Sequence, residues 1–310
     1  MDRRDFLKRV AVGAAGITVA GPLFRMTRTA FAAEVPTLGA GVVPTLALAT
    51  GTDYEKLVAK ILGALGGMKK FVKTGAKVVV KPNIGWDRNP AQGANTHPQV
   101  VKALVKQALD AGASKVMVFD RCCNDTRRSY ANSGIAEAVE SIGDRRVVCE
   151  FMDDRKYVPV KIAKGVSITE WQFYKDALDA DCYINVPVAK HHGMSRLTLG
   201  MKNVMGVIGG NRGLIHQSMG QRLADLNTVI RPKLTVIDAT RILLRNGPQG
   251  GNLADVKVLD MVMASADPVA ADAYATTLFD LKPDAIDSTR AAYQAGLGEM
   301  DLSKIHVLKV

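Results

Sequence analysis

Lys77-Val78-Val79-Val80-Lys81-Pro82-Asn83, then Thr96 to Gly112, then Lys115-Val116-Met117-Val118-Phe119-Asp120: these three pieces decide the fold. The first is a short β-branched run that reads as a buried strand, with Pro82 stopping its ladder pairing. In the second, Thr96 and Gln99 form a capping box, and Val100, Val101, Leu104, Val105 and Ala108 recur at helical spacing up to Gly112, a C-terminal stop. The third is another strand, closing at Asp120. Strand, helix and strand in that order make a parallel βαβ unit.

The same alternation continues outward. Thr45 to Ala49 predicts a strand, followed by a helix with Thr52 and Glu55 as a capping box and Leu57, Val58, Ile61, Leu62 and Leu65 on one face. Val147 to Phe151, Val158 to Ile162 and Val166 to Thr169 predict short strands in a hairpin or side sheet. Cys182 to Val188 predicts a strong strand, Ser195 to Ile208 a helix, and Gly209, Gly210 and Gly213 a glycine-rich loop. Leu234 to Ile237 predicts a strand ending at Asp238, and Val258 to Ala264 one leading to Asp267-Pro268, an N-cap with proline at the first helical position. The expected fold class is α/β: a largely parallel central sheet flanked by helices, with a small irregular β insertion. Residues 44–310 are expected to form a single α/β domain behind a linker at 33–43.

The first 32 residues read as an address. Arg3-Arg4-Asp5-Phe6-Leu7-Lys8 precedes a weakly apolar run from Val10 to Phe24 and the small-residue pattern Ala30-Phe31-Ala32. That is the order of a secretory signal, and the paired arginines specify the twin-arginine route. Gly13, Gly16, Gly21 and Pro22 dilute the run, which falls short of the about 20 apolar residues an anchor needs. The expected location is periplasmic or otherwise exported, with the twin-arginine translocase as a partner during export. Because that route carries folded proteins, it hints at a cofactor or partner acquired beforehand.

The full chain of 310 residues carries 47% hydrophobic residues, ample for a large core and against a disordered chain or a disulfide-dense scaffold. The net charge is +11; cleavage after Ala32 would remove six basic and two acidic residues, 11 − 4 = +7, a balance that suits anionic ligands or membrane surfaces and is equally ordinary solubility charge. With only 5% aromatic residues and no block of like charges, no nucleic-acid partner is expected.

In open parallel sheets, ligands bind outside the carboxyl ends of the strands. Followed to their ends, the apolar runs here deliver Lys81 and Asn83, then Asp120, Arg121 and Asn124, then Asn185, Lys190, His191 and His192, then Asp238 with Arg241. Asp120 and Asp238 follow long hydrophobic runs, where burial would raise a carboxyl pKa and suit it to proton transfer, although hydrogen bonds to loop amides explain such residues equally well. Lys202-Asn203 and the glycine-rich segment with Arg212 lie between His192 and His216, an arrangement that can cradle an anion. Three readings of the histidines stay open. His192 and His216 with Asp120 or Asp238 could converge as a mixed N/O metal site, could move protons beside lysines, or could be satisfied structural residues. Cys122, Cys123, Cys149 and Cys182 contain no Cys-x-x-Cys pattern; an oxidising compartment permits one or two disulfides among them, and Cys182 reads as a buried free thiol.

Taken together, Lys81-Pro82-Asn83, Thr96-His97-Pro98, Asp120, Asn185-Val186-Pro187, Lys190-His191-His192, Leu199 to Gly206, Asp238-Ala239, Gly247-Pro248 and Asp267 to Asp272 resemble the domain of unknown function family 362, over about residues 44 to 310. The resemblance implies a shared site lined by a Lys-x-His element, Lys190 and His192, and a Lys-Asn element, Lys202 and Asn203. Some relatives carry ferredoxin-like cysteine modules; this chain departs from them, so an iron–sulfur cluster is not expected in it.

Two functions are compatible with these residues. In the first, a small anionic ligand, a metal ion or both bind at the strand-end cleft through Lys81, Asn83, Lys190, Lys202, Asn203 and Arg212, with His192, His216, Asp120 and Asp238 as catalytic groups. In the second, the chain is a non-catalytic periplasmic accessory protein for a redox partner protein or iron–sulfur system.

Overall fold

A computed structural model describes residues 43–310. The expected signal peptide and all but the last residue of the expected linker lie outside them. Strand β1 (Thr45–Thr50) leads through helix α1 (Tyr54–Ala64) to β2 (Lys77–Pro82), α2 (Pro98–Asp110) and β3 (Lys115–Val118). Helices α3 (Thr126–Asn132) and α4 (Ile135–Glu140) precede β4 (Val147–Cys149), and β5 (Tyr157–Lys161) and β6 (Glu170–Tyr174) form a separate antiparallel pair. Then come α5 (Lys175–Leu178), β7 (Cys182–Val186), β8 (Val188–His192), β9 (Arg196–Thr198), α6 (Gly200–Asn203) and α7 (Met219–Asn227). The chain finishes with β10 (Leu234–Leu243), β11 (Val256–Ser265), α8 (Pro268–Thr276), α9 (Asp287–Gln294) and β12 (His306–Lys309).

The main sheet runs β12-β1-β11-β10-β7-β2-β3-β4, with β8 beside β10 and β9 beside β8. From β10 through β7, β2 and β3 to β4 every pair is parallel, whereas β11 is antiparallel to both its neighbours. The sheet is therefore α/β and largely parallel, as expected, and the β5–β6 pair is the small insertion. Both faces are covered. Val78 and Val80 face a core shared with α1 and α2, while Val79 between them faces a second core with Phe119, Phe173 and Tyr183. Burial on both faces is why these strands read as continuous apolar runs.

Several local readings change. Helix α1 is capped by Asp53, which accepts from Lys56 N at 3.1 Å, rather than by Thr52. Helix α2 is capped by His97, because Thr96 is spent elsewhere: its hydroxyl accepts from Asn83 N at 2.8 Å and donates to Val186 O at 2.7 Å, tying β2 to β7. The stretch Ser195 to Ile208 is not one helix. It holds β9, the single turn α6 and a 3-10 turn at Val204–Val207. The second strand of the hairpin lies at Glu170–Tyr174, just beyond the Val166 to Thr169 run. Asp267 caps α8 as expected, accepting from Val269 N and Ala270 N at 2.8 and 2.9 Å. β10 passes through Asp238 without stopping there.

Candidate functional site

The carboxyl ends of β2 and β7 lie side by side, with Lys81 in register with Asn185. Asn203, from α6, bridges them. Its amide donates to Asn185 Oδ1 at 2.8 Å and Lys81 O at 3.2 Å, and its Oδ1 accepts from Lys81 Nζ at 2.6 Å. Helix α6 is itself hung from α8, where buried Asp272 accepts from Gly200 N and Met201 N at 2.7 and 2.8 Å. Burial pushes the Asp272 carboxyl up to about 7 despite those two bonds.

Lys81 Nζ also stands 2.9 Å from Asp120 Oδ1, an ion pair with both side chains at most 3% exposed. Asp120 Oδ2 accepts from Ile84 N at 2.6 Å, while Oδ1 faces the Lys81 ammonium. Burial draws Lys81 below the usual lysine range, opposed by Asp120. Gly206 packs against this pair; a Cβ there would overlap Asp120 Oδ1 and the Lys81 ammonium.

These groups form the floor of a cavity of about 420 Å³. Its walls carry Lys202, Arg121, Arg212, His192 and His216, with Trp86, Met194, Met205 and Pro248 supplying apolar surface and Cys123 a thiol. Lys202 is 8% exposed, and its ammonium contacts only the Met205 thioether at 3.2 Å. Burial lowers it to about 8, opposed by Cys123 and helped by repulsion from Arg212. His192 Nδ1 accepts from Met194 N and Ser195 N at 3.1 and 3.3 Å, which leaves the proton on Nε2. Burial and the charge of Lys202 depress this imidazole to about 3, so it is neutral at physiological pH. His216 stacks on it with 6.1 Å between ring centroids and is also lowered, chiefly by burial.

Of the residues expected from sequence, Lys81, Asn83, Asp120, His192, Lys202, Asn203, Arg212 and His216 meet in this one cavity. Lys190 and Asp238 do not line it. Lys190 is buried behind the wall, donating to Asn83 Oδ1 at 3.0 Å and to Ala94 O, and burial lowers it to about 7. Asp238 accepts from His97 N at 2.6 Å and Thr240 N at 2.9 Å, so its carboxylate joins β10 to the start of α2. Two amides of the glycine-rich loop are spent within the protein, Gly209 N on Gln172 O and Gly213 N on Asn211 Oδ1. Arg212 spends most of its donors on Arg121 O, Met205 O and Cys122 O, contributing charge to the cavity more than hydrogen bonds. Among the described residues, no three His, Cys, Asp or Glu side chains gather as a metal site. All four cysteines are free thiols. Trp86 and Thr198 carried no sequence signal, Met205 lies within the Leu199 to Gly206 motif without having been singled out, and Arg121 and Cys123 sit in the loop after Asp120 that strand-end logic marks.

Fold and site define an α/β protein whose parallel strands end on a buried, cation-rich cavity. Residues 78–277 match the family described as Domain of unknown function (DUF362), and the chain belongs to it. The thylakoid-associated protein sll1697 of Synechocystis sp. is 29% identical over 269 residues, covering 83% of this chain and 81% of that protein. Among solved structures, the lactate racemase apoprotein from Thermoanaerobacterium thermosaccharolyticum aligns with a TM-score of 0.45 at 12% identity, over 74% of this chain; the alignment spans 56% of that protein's length.

Proposed function

We propose that this protein binds a small organic anion in the strand-end cavity and exchanges a proton with it. The observation that carries this reading is the charge of the cavity: Lys81, Lys202, Arg121 and Arg212 face a single carboxylate, Asp120. Set in a concave site with Lys81 and Lys202 buried, such a surplus attracts an anion more strongly than surface lysines do. Lys202, set near 8, can give or take a proton close to neutral pH, and neutral His192 offers its Nε2–H to an oxygen. Titration calorimetry with small mono- and dicarboxylates and inorganic phosphate tests the reading. Lys202→Met is expected to weaken the best ligand by roughly tenfold or more, about 1.4 kcal/mol. If no anion distinguishes the wild type from Lys202→Met, the reading is wrong.

Export through the twin-arginine route belongs to the same proposal, supported by Arg3-Arg4 and the small-residue site at Ala30-Phe31-Ala32. Fractionation of cells expressing the wild type and an Arg3→Lys/Arg4→Lys variant tests it: the wild type is expected in the periplasm and the variant in the cytoplasm. Equal distribution of the two would overturn it.

A further inference from the structure

Three lysines are nearly completely buried around the cavity, and their partners differ. Lys81 is held by Asp120 and Asn203, and Lys190 by Asn83 and the Ala94 carbonyl. Lys202 alone has no oxygen partner: its nitrogen rests on the Met205 sulfur, a weak acceptor that a ligand displaces at little cost. An ammonium meant only to hold an anion gains from a carboxylate or carbonyl cage that keeps it protonated. Lys202 is desolvated and lacks such a cage; burial, opposed by Cys123 and reinforced by Arg212, drives it toward the free amine, which is the nucleophilic form.

We propose that Lys202 condenses with the carbonyl group of a small 2-oxo acid to form an imine, the carboxylate of the same molecule being held by the cations of the cavity. This rests on the small-anion reading and adds the class of ligand to it. The Lys202 nitrogen attacks the carbonyl carbon to give a carbinolamine. The C–O bond then breaks as the C=N bond forms, and the oxygen leaves as water with the two hydrogens that the amine gives up. No oxidant or reductant is consumed. His192, whose Nδ1 is taken up by backbone amides, has its Nε2–H as the donor available to the carbonyl oxygen.

The test is reductive trapping on the full chain. Pyruvate or glyoxylate is added at pH 8 with sodium cyanoborohydride, and the modified peptides are mapped by mass spectrometry, with and without oxalate, an anion that has no carbonyl to condense. At that pH Lys202 is about half neutral, against a fraction of a percent for an exposed lysine, so labelling of Lys202 is expected to exceed that of any surface lysine by roughly a hundredfold. Oxalate should suppress it. Lys202→Arg, which has no condensable amine, should abolish the adduct, and the oxalate-induced rise in unfolding temperature is read on the wild type. If oxalate or pyruvate raises the unfolding temperature but the label spreads over surface lysines and spares Lys202, the imine is overturned and anion binding stands. If neither anion shifts the unfolding temperature and no adduct forms at Lys202, both readings fall.

Discussion

Lys81 and Asp120, at the ends of neighbouring parallel strands, meet 2.9 Å apart beneath Gly206, with neither side chain more than 3% exposed. Water does not share in solvating either charge, so each depends on the other. Lys81→Met is expected to cost about 3–5 kcal/mol because it strands the carboxylate, while the double variant Lys81→Met/Asp120→Leu should recover much of the loss. Urea unfolding of the two single variants and the double variant checks this; strict additivity would argue that the pair is not coupled.

Gly206 is the residue that permits that pair to sit at the cavity floor. Gly206→Ala should destabilise by about 1–3 kcal/mol and also weaken anion binding, since the new methyl displaces Asp120 or Lys81. A variant with unchanged stability and affinity would mean that the loop moves away without consequence.

Lys190 should make the fold more stable as pH rises above neutrality. Burial sets the folded group near 7, whereas the unfolded chain keeps its proton up to about 10.4. Between those values the unfolded state binds more protons, so each step up in pH favours the folded state, by at most about 1.4 kcal/mol per unit. Urea midpoints measured from pH 7 to pH 9 are expected to climb more steeply in the wild type than in Lys190→Met. Parallel curves would show that Lys190 keeps its proton on folding.

Asp238 should prove structural. Asp238→Ala removes the acceptor for His97 N and Thr240 N and is expected to cost about 1–3 kcal/mol, with affinity for the cavity's anion unchanged. A selective loss of binding in a fully folded variant would return Asp238 to the site.

The sheet, and Lys81, Asn83, Asp120 and His192 among the cavity residues, were legible because a strand buried on both faces writes itself as an unbroken apolar run and the polar residue after it marks the strand's open end; Lys202, Asn203, Arg212 and His216 were marked instead by the glycine-rich segment between two histidines. The rule misplaced Asp238 for a physical reason. A carboxylate looks like a terminator, yet two backbone amides satisfy it inside β10, and Ala239, Ile242 and Leu243 carry the strand onward through the core. Lys190 was drawn toward the cavity by its position after a strong strand, but its partner Asn83 lies 107 residues away, and no local pattern announces such a contact. The apolar stretch after Ser195 has helical spacing, yet Gly200 and Gly206 each lie against a buried carboxylate, and those close approaches break the stretch into short turns.

The place of β1 in the sheet has a bearing on how the molecule is made. β1 is the first described strand to leave the ribosome, but both of its neighbours, β11 and β12, come from residues 256–309. Until those residues emerge, the nascent chain carries β1 with unpaired backbone on both sides, an adhesive edge for other chains. The parallel region from β2 to β4 can assemble early, whereas the opposite flank closes only when the end of the described chain folds back beside its beginning. A copy interrupted before His306 would leave one side of β1 unpaired, an open edge that the finished molecule covers.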